Sequence, residues 1–200
     1  MGAASQIKSS LYIKMANVEA AFRNLHQDLI DGCKSGDQKA QFQVYKLYYK
    51  AMYNTSLRIV GETMEAEDVM QESFLSAFEK IDSYSGTVSF GAWLKKIVIN
   101  RSLDTLSRKK AIFEDIDFHI GIRDDSQEDL IRKEEVDIMV EEVKEAINRL
   151  PDGYRIILSL YLLEGYDHDE IAEILKISSS TSRSQLSRAK QKLIAELRKK

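Results

Sequence analysis

Cysteine, proline and histidine are scarce in this 200-residue chain, which has one Cys (Cys33), one Pro (Pro151) and three His (His26, His119, His168). A single cysteine excludes an internal disulfide framework, and histidines this far apart offer no metal-ligand or nucleophile-and-base spacing. No metal and no cofactor is expected. Paired carboxylates, a nucleophile beside a base and a phosphate-cradling glycine loop are also missing, so nothing points to an enzyme. No apolar run approaches the roughly 20 residues that a bilayer crossing needs. The start MGAASQIKSS lacks the apolar stretch and small-residue cleavage site of a secretory signal, and a cytoplasmic location is expected.

Sustained apolar-polar alternation is absent too, which removes a β architecture. What the chain has is apolar residues at three-to-four-residue spacing in nearly every window, interrupted by only nine glycines and one proline. The expected fold is all-α. Residues 1–16 read as an N-terminal extension, expected to lack order and given no function, with Met15 a candidate start. A helical block of about four helices spans 17–110, broken at turn-type clusters near KSGD (34–37), VGET (60–63) and SYSGTVS (83–89). Residues 111–128 lose the periodicity and read as an acidic linker. A second helical block runs from 129 to 200, divided by Leu150-Pro151-Asp152-Gly153 ahead of a helix from Tyr154 to Leu163.

The formal net charge of −3 hides segregation along the chain. From Lys95 to Lys110 six basic residues face one acid; from Ala111 to Glu142 twelve acids face three bases; from Lys176 to Lys200 eight bases face one acid. Basic, acidic, basic is the pattern of two nucleic-acid-facing modules joined by an anionic connector.

In the second block, Asp167 followed by Glu170 makes a capping box ahead of the stripe Ile171, Ala172, Ile174 and Leu175. A short break at Lys176-Ile177 leads to Ser178, a natural N-cap for the next helix. Helix, tight turn, helix is the topology that lets the second helix enter a major groove. On a helical wheel Ser182, Leu186, Ala189, Lys190, Leu193 and Leu197 face inward. Ser180, Thr181, Ser184, Ser187, Arg188 and Gln191 face outward, with Arg183 and Gln185 flanking them. Short hydrogen-bonding side chains with arginine suit close approach to bases and phosphates. An ordinary solvated face has the same composition, but the caps and the local basic excess favour DNA binding.

In the first block, Ala66, Val69, Met70, Ser73, Phe74, Ala77, Phe78 and Ile81 follow helical spacing as a buried face. Asp68, Gln71, Glu72, Leu75 and Glu79 lie opposite. A leucine among acids on an outward face is an anchor-and-rim composition that suits a protein partner, though single exposed leucines are common. The next stretch places a loop of glycine and small hydroxyl residues between Tyr84 and Phe90, ahead of a helix with Trp93, Lys95, Lys96, Asn100, Arg101 and Arg108. Aromatics beside cations suit single-stranded DNA, whose unstacked bases need a π-surface. Trp93 and Phe90 also fit the core of a small bundle, the preferred place for Trp93.

The ordered set FQVYKLYYKAMYNTSLRIVG, AEDVMQESFLSAF, FGAWLKKIVINRSLD, LPDGYRIILSLYLLEGYDHDEIAEIL and ISSSTSRSQLSRAKQKL resembles the extracytoplasmic-function group of bacterial RNA polymerase sigma factors, from about Leu29 to the C-terminus. The resemblance implies a sigma-two-like bundle and a sigma-four-like helix-turn-helix domain that dock on core RNA polymerase, at its β′ clamp helices and β flap, and read the −10 and −35 promoter elements. By position, Asp68, Gln71, Glu72 and Leu75 would meet core polymerase. Tyr84, Gly86, Val88 and Phe90 would capture a flipped −10 base, coupling recognition to melting, with Lys95, Asn100 and Arg101 also on −10 DNA. Ser180, Thr181, Arg183, Ser184, Ser187, Arg188 and Gln191 would meet the −35 duplex. The acidic linker would thread the polymerase channel, and an anti-sigma factor is a plausible further partner. The chain departs from the commoner pattern at Ser182, Gln185 and Lys176, where an apolar residue, arginine and glycine are usual. The alternative is a stand-alone helix-turn-helix transcriptional regulator, which would bind duplex DNA without polymerase.

Overall fold

A computed structural model describes residues 26–112 and 140–198. The extension at 1–16, the stretch 17–25 and the linker expected over 111–128 lie wholly or mostly outside the described residues, as do 129–139. The described residues are helical, with no strand among them. The first half comprises α1 (26–34), α2 (Gln38–Val60), α3 (Thr63–Glu79) and α4 (Phe90–Ile112). The second comprises α5 (Val140–Asn148), α6 (Asp152–Leu158) with a π-helical extension Ser159–Leu163, α7 (His168–Leu175) and α8 (Ser179–Leu197).

Helix boundaries follow local chemistry. The Asp37 carboxylate accepts from Lys39 N at 2.8 Å and starts α2, while Glu62 accepts from Met64 N and Glu65 N and starts α3. These side chains satisfy amide donors that a helix start leaves without carbonyls. Between them Gly61, at φ 80°, closes α2 by donating to Leu57 O. Glycine is required there twice over: the conformation is left-handed, and a Cβ would meet the Arg155 guanidinium at 3.1 Å. Ile81, expected at the end of α3, falls instead in a 3-10 turn (Ile81–Ser83), and Phe78 is only half-buried.

Helices α2, α3 and α4 enclose one core around Val44, Met52, Phe74, Leu94 and Val98. Small polar residues let α2 and α4 approach: buried Ser102 donates to Val98 O at 2.7 Å, and its hydroxyl oxygen lies 3.2 Å from Ser56 Oγ. The second core gathers Ile147, Ile157, Leu158, Leu160, Ile171 and Leu186, and it also takes Ile59, Ile99 and Leu106 from α2 and α4. Through those three side chains the halves are packed against each other. Burying apolar area at about 25 cal/mol per Å² makes such a shared core a substantial part of what holds them together.

The helix expected from Tyr154 begins earlier, at Asp152, directly after Pro151. Proline suits that position because its missing N–H is one that a helix start cannot use anyway. The last turn widens to π geometry, with Glu164 N donating to Ser159 O at 2.9 Å. Beyond it the capping box of Asp167 and Glu170 starts α7, and Ser178 caps α8 by accepting from Thr181 N at 3.0 Å, both as the sequence indicates.

Candidate nucleic-acid interface

Helices α7 and α8 form the helix-turn-helix. The turn is closed by Lys176 in the left-handed region at φ 54°, the only non-glycine with positive φ among the described residues. Ser182, Leu186, Ala189 and Leu193 are buried, and His168 Nδ1 lies 2.9 Å from Ser182 Oγ. Ser180, Arg183, Ser184, Ser187 and Gln191 are exposed, and Arg188 and Thr181 are partly so. Two side chains depart from the wheel. Lys190 is exposed rather than inward, with its ammonium 5.5 Å from the Tyr161 ring centre. Gln185 is buried at 7% exposure, against the wall of a cleft between the halves, so it does not flank the outward strip.

The loop between α3 and α4 is shaped by its own groups. Tyr84 Oη donates to Val88 O at 2.7 Å, Gly86 takes φ 77°, and Ser89 Oγ accepts from Ala92 N to start α4. Val88 is 52% exposed at its tip. Beneath it lies an open pocket of about 550 Å³ lined by His26, Tyr48, Tyr84, Thr87, Val88 and Phe90, among others. Phe90 itself is buried against Tyr48, Tyr84 and Trp93, so it forms the pocket floor rather than a free stacking surface. Trp93 is half-buried against the same core. Burial, and secondarily Tyr84, push the Tyr48 phenol above its ordinary value, which keeps it a neutral hydrogen-bonding group. No local pattern marks His26 or Tyr48, which come from α1 and α2.

The cations expected to join this loop do not gather there. Arg101 is paired with Glu72 on α3, and Asn100 lines the cleft between the halves with Lys96, Thr181 and Gln185. Lys95 is paired with Glu164 at 2.8 Å. On α3, Asp68, Gln71 and Glu72 are exposed beside Leu75, which is 64% exposed, so the outward leucine-and-acid face exists as expected.

Two residues that the sequence reading passed over organise the contact between halves. Glu164, directly after the π turn, has a side chain only 3% exposed. Its Oε1 accepts from Thr55 Oγ1 at 3.0 Å and from Arg58 Nε at 3.1 Å, with Arg58 Nη2 also bound, and its Oε2 meets Lys95 Nζ. Burial pushes this carboxyl up, but the hydrogen bonds and charges of Lys95 and Arg58 outweigh it and hold Glu164 below its ordinary value. Arg155, 6% exposed, donates to Arg58 O at 3.1 Å and Ile59 O at 2.8 Å and pairs with Asp152 at 2.8 Å. It thereby satisfies carbonyls at the end of α2 that no helical donor reaches. The signal was present: a lone arginine inside RIILSLYLL must find partners if that run is buried.

A helical bundle with an open loop pocket, packed on a helix-turn-helix with a sparse outward face, defines a two-unit helical DNA-binding protein. Residues 44–112 match the Sigma-70 region 2 family and residues 140–193 match Sigma-70, region 4. The chain is 30% identical over 174 residues to the ECF RNA polymerase sigma factor SigW of Bacillus subtilis, covering 82% of this chain and 92% of that one. It is 27% identical over 176 residues to the RNA polymerase sigma-H factor of Pseudomonas aeruginosa, covering 82% and 90%. The chain belongs to the extracytoplasmic-function RNA polymerase sigma factors. Its fold resembles two solved structures. One is RpoE in complex with the anti-sigma factor NepR from Bartonella quintana (TM-score 0.55, 22% identity, 78% of this chain and 95% of that one). The other is CnrH in complex with the cytosolic domain of CnrY (TM-score 0.50, 20% identity, 84% and 94%).

Proposed function

We propose that this chain is the specificity subunit for transcription initiation, binding core RNA polymerase and directing it to promoters without catalytic residues of its own. The observation that carries the reading is the joint presence of an open loop pocket in the first half and an exposed α8 strip in the second. A melted −10 strand needs a pocket that accepts an unstacked base, and a −35 duplex needs a helix face that enters a groove. Tyr84, Gly86 and Val88 rim the first surface over the Phe90 floor, with Lys95 and Arg101 reaching DNA once their acid partners leave. Ser180, Thr181, Arg183, Ser184, Ser187, Arg188 and Gln191 form the second.

The exposed α3 face of Asp68, Gln71, Glu72 and Leu75 is the proposed contact for core polymerase. Residues 17–110 and 129–200 are the proposed functional units, joined by the acidic stretch 111–128. The site of action is the cytoplasm, with RNA polymerase; no described helix is long and apolar enough to cross a membrane. Because one structural relative, RpoE, was solved in complex with an anti-sigma factor, a partner of that kind is proposed here too. The test is transcription from purified core polymerase with and without this chain on a promoter library. Promoter-selective initiation is expected only with the chain, and no gain over core alone ends the reading. Specific duplex binding without polymerase would favour the stand-alone regulator.

A further inference from the structure

The Glu164 carboxylate sits where an anion site of the first half would hold its ligand. Thr55 (1% exposed) and Arg58 come from α2, and Lys95 comes from α4. The two helices that carry them, α2 and α4, are packed together by the core of the first half and not by Glu164. A guanidinium with a neighbouring ammonium and hydroxyl is the donor set that a phosphodiester takes, and Arg58 already presents two nitrogens to one oxygen. A second pair repeats the pattern beside it, Lys96 with Glu173 at 3.2 Å. Lys95 and Lys96 of α4 therefore both meet acids of the second half.

We propose that Thr55, Arg58 and Lys95 form a phosphodiester site for a DNA strand, which the chain's own Glu164 fills while the halves are closed. DNA and the second half then compete for the same donors, and closure suppresses DNA binding by the first half. The inference rests on the reading of this chain as a DNA-handling subunit, but not on any promoter sequence, because a backbone phosphate carries no sequence information.

The full chain serves for the test, with a fluorescein-labelled single-stranded oligonucleotide of random sequence and fluorescence anisotropy at fixed low salt. Glu164→Gln keeps the side chain's size and removes its charge. It is expected to tighten binding about tenfold, the scale of one charge-assisted hydrogen bond set free. Adding Arg58→Gln and Lys95→Gln to Glu164→Gln should abolish that gain. Circular dichroism verifies that each variant is folded, and Glu164→Ala replaces Glu164→Gln if the latter is not. Affinity within about twofold of the wild type for a folded Glu164 variant overturns the proposal. A gain that survives loss of Arg58 and Lys95 also overturns it. Failure of the sigma-subunit reading would register separately, as absent promoter-selective transcription with core polymerase, whatever the anisotropy shows.

Discussion

Lys176 holds the helix-turn-helix corner in a conformation that costs an L-residue with a Cβ on the order of 1 kcal/mol. Its N–H still donates to Ala172 O, so the corner is formed despite the residue and not because of it. Lys176→Gly is accordingly expected to stabilise the folded chain by about 1 kcal/mol, read as a higher denaturant midpoint at unchanged slope. An unchanged or lower midpoint would show that the lysine side chain contributes more than its backbone costs. Ser182 illustrates the opposite outcome. A serine where an apolar residue is usual looks like a weakened core, yet the His168 ring nitrogen lies within hydrogen-bonding distance of its hydroxyl, so it is buried with a partner.

Among elements, α3 separates its two jobs most cleanly, with Ala66, Val69, Met70, Ser73, Phe74 and Ala77 inward and Asp68, Gln71, Glu72 and Leu75 outward. Charge reversal by Asp68→Lys with Glu72→Lys should weaken binding to core polymerase roughly tenfold in a pull-down titration while leaving the helical circular dichroism signal unchanged. The exposed Glu72–Arg101 pair would be lost, at a stability cost of up to about 1 kcal/mol. Retained polymerase affinity would remove this face from the proposed contact. Such elements were legible in the sequence because period and caps are local: the α3 stripe, the Asp167–Glu170 box and the Ser178 cap all need only neighbours within four residues. Gln185 was misplaced for the complementary reason. A wheel gives the angle of a side chain but not what stands beside it, and Gln185 faces the other half of the molecule. The pocket under Val88 was only half legible, since His26 and Tyr48 are brought to it by tertiary packing.

For the whole molecule the governing fact is that the two halves are latched by ions and glued by a shared core. Glu164 supplies the pH dependence of the latch. Its carboxyl is held below its ordinary value of 4.5, so its contribution is fully present above that value and is lost as pH falls through the depressed one. The groups facing it are Arg58, Lys95 and Thr55, with Tyr166, whose phenol is pushed up by burial and then by Glu164 and Glu170. Acidification from neutral pH through the carboxylate range should therefore enlarge the radius of gyration measured by small-angle scattering. Other carboxylates at the contact also carry ion pairs, Asp152 with Arg155 and Glu173 with Lys96. The diagnostic is thus the difference from Glu164→Gln, which should respond less steeply; identical curves would remove Glu164 from the latch.

Ile59, Ile99 and Leu106, lodged among the apolar side chains of the second half, add a different sensitivity. Parting the halves wets that surface without unfolding either one, so opening carries a positive heat-capacity change. The attraction between the halves then fades as the temperature drops, because water penalises exposed hydrocarbon less in the cold. Chilling loosens this molecule at its seam before it disturbs its helices.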